Sequence, residues 1–297
     1  MKGRRQEHQR SIGRRPWRPP APRRVSVVRY LNTAPLVWGL ERGRAKTRYQ
    51  LSYTTPAGCA DDLRHGRADI GIIPAIEYQT IPGLKLIPRI AIASQRKVES
   101  VLFLSRGPAR RARRVALDSS SRTSATLLKI LFARHWRGEP EYREAEPDLA
   151  RMLSQADAAL LIGDPALQFT LHAPGTELRD VKNLHVYDLA EEWWRLTNLP
   201  FVFAFWAVRT EKIRFVRDRQ QLVGDFLHSR DQGLDHLEEI AHDAALRLQV
   251  PGGHLERYLR ASIDFHLDAP QQAGLECFYR YARELGLTDA QRPLEFL

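Results

Sequence analysis

Three short stretches of this chain carry the polar residues best placed for chemistry. They are Asn32-Thr33-Ala34-Pro35, the hydroxyl-rich run Ser119-Ser120-Ser121-Arg122-Thr123-Ser124, and Gly163-Asp164-Pro165. Each follows an apolar, strand-like segment and opens a helical one. A helix N-terminus has unpaired N–H groups and a partial positive charge. Together the loops therefore favour a small anion held by backbone amides and hydroxyls. Capping alone accounts for any single loop, because Ser, Thr and Asn are the common N-cap residues. Four Ser/Thr hydroxyls within residues 119–123, with Ser124 beyond them, exceed what one cap uses.

Other catalytic signatures are missing. The chain has no HExxH, CxxC, Walker loop or GxSxG. His228, His236, His242 and His254 fall in a helical C-terminal part and read as surface residues, while His172 and His185 lie away from the capping loops. Cys59 and Cys277 are isolated and read as buried thiols, not as a disulfide framework or metal site. Neither a metal nor a nucleotide cofactor is expected. The carboxylates nearest strand ends are Glu77, Asp118, Asp157 and Asp164. Most such residues serve as caps or paired charges and not as general bases.

The elements that must position these loops alternate between strand and helix. Val25, Val27 and Val28 mark a strand over 24–29, and a second is expected over 49–54. A helix over 57–65 stops at Gly66, and the apolar run 68–74 is a buried strand. That alternation implies a parallel sheet with helices on its faces. Further strands are expected over 84–93, 100–105, 114–118, 158–162 and 201–208, with a strong helix over 123–136. The last ~85 residues are helical by period. The fold class is α/β, with a second lobe inserted into the first. The expected division is residues 25–105 plus 201–297 for one lobe and 106–200 for the other. Two crossings between lobes make a hinge, and the hinge makes a closing cleft. Trp193, Trp194, Phe201, Phe203, Phe205 and Trp206 flank the return crossing. Core packing explains them first, and an apolar wall for a ring-shaped ligand second.

The formal net charge of +11 suggests nucleic acid, but eight of those charges sit in residues 1–24. That Pro/Arg-rich segment lacks the apolar surface to offset its ordering entropy and is expected to be disordered. It stands as a flexible extension, a non-specific polyanion-binding arm, or the product of a start codon placed too far upstream. No run approaches the ~20 apolar residues of a membrane helix. No apolar segment follows Arg4-Arg5 or Arg14-Arg15, so a cytoplasmic location is expected.

The chain resembles the chorismate dehydratases of the futalosine route to menaquinone, which share the two-lobed fold of type 2 periplasmic binding proteins. The likeness rests on Arg29-Tyr30-Leu31-Asn32-Thr33-Ala34-Pro35-Leu36, the stretch 73–78, Glu99-Ser100-Val101 and the run 118–124 with Leu127-Leu128. It continues in Leu161-Ile162-Gly163-Asp164-Pro165-Ala166-Leu167 and Leu199-Pro200-Phe201-Val202-Phe203-Ala204. It runs from about Val25 to the C-terminus; Asn198 stands where a glycine is expected. The resemblance implies elimination of water from chorismate to give 3-[(1-carboxyvinyl)oxy]benzoate, driven by aromatisation and without a redox cofactor. On that reading Asn32 orients the reacting groups. Ser100, Ser121, Thr123, Ser124 and Asp164 bind substrate, with Gly163 a close-approach backbone position. The implied partner is chorismate, with no specific nucleic acid and no membrane; the sequence sets no oligomeric state. A cytoplasmic small-anion binding protein without catalysis would share fold and loops.

Overall fold

The computed structural model of the protein describes residues 21–171, 184–213, 215–289 and 292–297. Residues 1–20 of the basic tail, and His172, lie outside these. Strand β1 (Arg23–Val28) leads through a 3-10 turn at Leu31–Thr33 into α1 (Ala34–Arg42). Then come β2 (Tyr49–Thr54), α2 (Pro56–Arg64), β3 (Ile70–Pro74), the single turn α3 (Glu77–Thr80) and β4 (Leu84–Ser94). The middle of the chain forms β5 (Val101–Ser105), β6 (Arg114–Asp118), α4 (Arg122–Leu131), β7 (Glu141–Ala145) and α5 (Leu149–Gln155). It continues with β8 (Ala158–Ile162), α6 (Gly163–Leu171), β9 (His185–Asp188) and α7 (Leu189–Thr197). Strand β10 (Phe201–Arg209) is followed by α8 (Val216–Asp235), α9 (Leu237–Leu248), α10 (Gly252–Ala261) and α11 (Ala269–Glu284).

Among the described residues these strands make two five-stranded sheets, ordered β2-β1-β3-β10-β4 and β7-β6-β8-β5-β9. The two are built alike. In each, the first three strands are parallel and the fourth is antiparallel to its neighbours. In each, that fourth strand is the one arriving from the other lobe. Strands β3, β5 and β8 are buried at every position, so both their faces are covered. This is the inserted two-lobed α/β architecture read from the sequence, with the helical C-terminal part packed on the first lobe.

Boundaries differ in three places. The first crossing lies within residues 95–100, not beyond 105, because Val101–Ser105 pairs with β8 and β9 in the second sheet. An apolar run of five residues carries no mark of which sheet it joins. Strand β1 runs from Arg23 to Val28, starting one residue before the expected strand, within the segment assigned to the tail. The Arg24 backbone N–H and its guanidinium both bond Asp69, at 3.0 and 2.7 Å, which ties the chain down at that point. The helix expected over 123–136 is α4 continued by a π-turn, Phe132–Trp136, and ended by Arg137 at φ 59°. At the return crossing Asn198 has φ 57°, the left-handed region that favours glycine and tolerates asparagine. The unexpected residue therefore occupies the backbone conformation its substitute would need.

Candidate functional site

The carboxyl ends of β1, β3, β6 and β8 converge on the cleft between the sheets. There a cavity is lined by Asn32, Ser100, Ser121, Thr123, Ser124 and Gly163. Six of the seven residues singled out from sequence thus line one cavity. Its lining also includes the apolar Val28, Ile92, Ile162 and Phe203. Of the aromatic group near the return crossing, only Phe203 lines the cavity. Trp193 and Phe201 pack with Phe278 in edge-to-face contacts, Phe201 lying 5.4 Å from Trp193 and 5.1 Å from Phe278 between ring centres.

The hydroxyls are not spent on capping. Ser121 occupies the N-cap position of α4 and its side chain makes no capping bond. Thr33, at the head of α1, makes none either. Thr123 Oγ1 instead accepts the Ile76 N–H from the other lobe at 3.1 Å, which leaves the Thr123 proton free to donate. Ser100 is buried; its Oγ accepts the Tyr258 hydroxyl at 2.9 Å and its carbonyl accepts the Gly163 N–H at 2.8 Å. The Ser100 hydroxyl proton is likewise uncommitted.

Gly163 has φ 66°, and a Cβ built on it would lie 2.5 Å from the ring of Tyr30. The close approach expected at this glycine is therefore made by a side chain of the facing lobe. The Tyr30 hydroxyl reaches across to Ser120 Oγ at 3.3 Å. Burial pushes the Tyr30 phenol up to about 12, so it stays protonated. Tyr30 was part of the sequence motif but was given no role from it.

Asp164 sits differently from the substrate ligand expected. One carboxylate oxygen accepts the Leu31 N–H at 2.8 Å and the other accepts Arg247 Nη1 at 2.6 Å. It is absent from the cavity wall. Asp164 is thus a strut that pins the loop bearing Asn32 to the second lobe. Glu77 is also engaged: its two oxygens carry Arg64 and, at 3.0 Å, Arg122. Arg122 bonds Asp61 as well, so this cluster joins the lobes along the rim. Asp118 closes β6; its Oδ1 accepts Ser120 N–H and Oγ–H at 2.9 and 2.6 Å, while Oδ2 is buried with no hydrogen-bond partner. Asp157 lies remote from the cavity, bonding the backbone of Arg113 and Arg114.

Among the described cavity-lining residues Tyr30 is the sole ionisable group. Among the described residues no group of three or more His, Cys, Asp or Glu side chains is placed to hold a metal ion. None of the described helices is long and apolar enough to cross a membrane. The site is a neutral pocket lined by hydroxyls, an amide and apolar side chains. It can hold anionic groups by hydrogen bonds and a hydrocarbon ring by packing.

Over residues 23–284 the chain matches a family model described as menaquinone biosynthesis. It is 33% identical over 274 residues to the chorismate dehydratase of Thermus thermophilus, an alignment spanning 89% of this chain and 95% of that protein. Among solved structures it is similar to protein AF1704 from Archaeoglobus fulgidus, with TM-score 0.71 and 15% identity over 90% of this chain and 98% of that one. It is also similar to the alkanesulfonate-binding protein SsuA from Xanthomonas axonopodis pv. citri bound to MOPS, with TM-score 0.63 and 18% identity over 93% and 96%. The two structural likenesses speak to the fold.

Proposed function

The chain belongs to the menaquinone biosynthesis family, and from that membership we propose that it is a chorismate dehydratase, a hydro-lyase working in the cleft between its lobes. Chorismate carries two carboxylates on and beside a six-membered ring. A pocket lined by uncommitted hydroxyls and by apolar side chains suits that combination. Ser100, Ser121, Thr123 and Ser124 bind the carboxylates, and Phe203 with Ile92 and Ile162 packs against the ring.

The reaction removes the hydrogen at ring carbon 3 and the hydroxyl at carbon 4. The carbon 3 proton is acidified through the ring double bond to the ring carboxylate. Hydrogen bonds to that carboxylate stabilise the negative charge that develops there. The two ring oxygens are trans, so the departing hydrogen and hydroxyl share a face. That geometry suits a stepwise syn elimination ending in an aromatic ring, and the electron count needs no redox partner.

The single observation that carries the mechanism is the lack of a protein base on the described wall. Glu77 and Asp164 are tied into ion pairs, and Tyr30 is held protonated. The enolpyruvyl carboxylate of the substrate itself then takes the proton, and Asn32 orients the reacting groups. Position is the main contribution of the protein, and closure of the lobes excludes water. The test compares turnover of chorismate by Asn32→Ala, Glu77→Gln and Asp164→Asn. Asn32→Ala is expected to lose the most. Full turnover by Asn32→Ala, with loss confined to a carboxylate variant, would sink the substrate-assisted route.

A further inference from the structure

The helical C-terminal part reaches the site at one point. Tyr258, on α10, is 2% exposed. Its hydroxyl donates to Ser100 Oγ at 2.9 Å, and the Asn32 side chain lies close enough to favour the ionised form of the phenol. Ser100 and Asn32 both line the cavity; Tyr258 lies behind them. One buried phenol thus bonds Ser100, which precedes β5, and lies near Asn32, which follows β1.

A phenol has one proton to give and lone pairs to accept with. Burial holds Tyr258 well above its ordinary value, so that proton is retained. With it committed to Ser100 Oγ, the Ser100 proton must point elsewhere, and the open direction is the cavity. Burying a hydroxyl is costly unless its hydrogen bonds are made. A phenylalanine would fill the same volume without that cost, so packing alone does not account for the oxygen.

We propose that Tyr258 is a positioning residue: its hydroxyl sets the Ser100 hydroxyl in the orientation in which it meets the substrate. This role rests on the dehydratase reading given above. Tyr258 does not itself touch substrate and transfers no proton in the reaction.

The test uses the full chain with chorismate as probe. Turnover and thermal midpoint are measured for wild type, Tyr258→Phe, Ser100→Ala and the double variant, with Tyr258→Met as a second hydroxyl-free side chain. The expected result is a ten- to hundredfold fall in kcat for Tyr258→Phe, with KM changed less than threefold and the midpoint within a few degrees of wild type. In the Ser100→Ala background the same substitution should cost less than threefold, because the group it positions is already gone. A merely structural tyrosine would lower the midpoint and leave kcat and its coupling to Ser100 untouched. Wild-type kcat in both Tyr258→Phe and Tyr258→Met, or losses that simply multiply in the double variant, would overturn the role. No turnover by the wild-type chain would instead overturn the dehydratase reading and this role with it.

Discussion

The ring of Tyr30, from the first lobe, rests against the Cα of Gly163, from the second, so closely that a Cβ at 163 would lie 2.5 Å from two ring carbons. Gly163 also holds φ 66°, which costs an L-residue about 1–2 kcal/mol. Gly163→Ala should therefore fold with a modest loss of stability but fail to close fully over substrate. The expected outcome is a fall of at least about tenfold in kcat/KM, roughly 1.4 kcal/mol of transition-state stabilisation. Steady-state kinetics alongside a thermal melt check it; wild-type kcat/KM would remove Tyr30 and Gly163 from the closing contact.

Arg122 bridges the lobes by its bonds to Glu77 and Asp61. Its side chain is 37% exposed, so solvent screens the pair and its contribution is about 1 kcal/mol or less. Glu77 keeps Arg64 when Arg122 is removed. Arg122→Ala should accordingly raise KM up to about fivefold while kcat stays within about twofold. The difference should shrink at high salt. A large kcat defect would mean that Arg122 acts on the reacting groups and not on closure.

Asp188 ties the crossing segment to the start of α7. Its carboxylate accepts the N–H groups of Val98 and Glu99, at 3.0 and 2.6 Å, and those of Ala190 and Glu191, at 3.0 and 3.3 Å. Asp188→Ala strands several of these donors in a buried position. The expected loss of stability is about 2–4 kcal/mol, read by urea denaturation. A loss below about 0.5 kcal/mol would show that water replaces the carboxylate.

Asp118 gives stability a pH dependence of definite sign. Burial raises its carboxyl above the ordinary range, against the lowering effect of the Ser120 bonds. In the unfolded chain an aspartate ionises near ~3.9. The unfolded state therefore ionises first. The stabilisation due to this group is complete below ~3.9 and is lost as pH rises through the folded value. Asp118→Asn cannot ionise there, so wild type should lose stability relative to it as pH rises above about 4. Thermal midpoints of both proteins at stepped pH measure this. Parallel curves would show that Asp118 titrates normally.

Much of the site was legible because its signals are local. The strand–loop–helix pattern with surplus hydroxyls marks residues 119–124, and a glycine before Asp164-Pro165 marks a tight helix start. Of these, Ser121, Thr123, Ser124 and Gly163 do meet in one cavity. What was illegible depends on pairing at long range. The apolar run of β5 reads the same whichever sheet receives it. Asp164 looks like a ligand until Leu31 and Arg247 are seen to occupy both its oxygens. Tyr258 follows Ser100 by 158 residues and sits in a helix whose pattern shows only packing. Asn198 is an intermediate case: its left-handed backbone is what asparagine at a helix end permits, yet the sequence shows it only as a departure from an expected glycine.

The central claim is that this cleft dehydrates chorismate. The direct measurement is to incubate the purified full chain with chorismate and follow both its loss and the appearance of 3-[(1-carboxyvinyl)oxy]benzoate by absorbance and mass. The account requires stoichiometric conversion, with Asn32→Ala slower by at least about a hundredfold, roughly 2.7 kcal/mol of barrier. Chorismate bound but recovered unchanged would contradict it and leave a two-lobed anion-binding protein in its place.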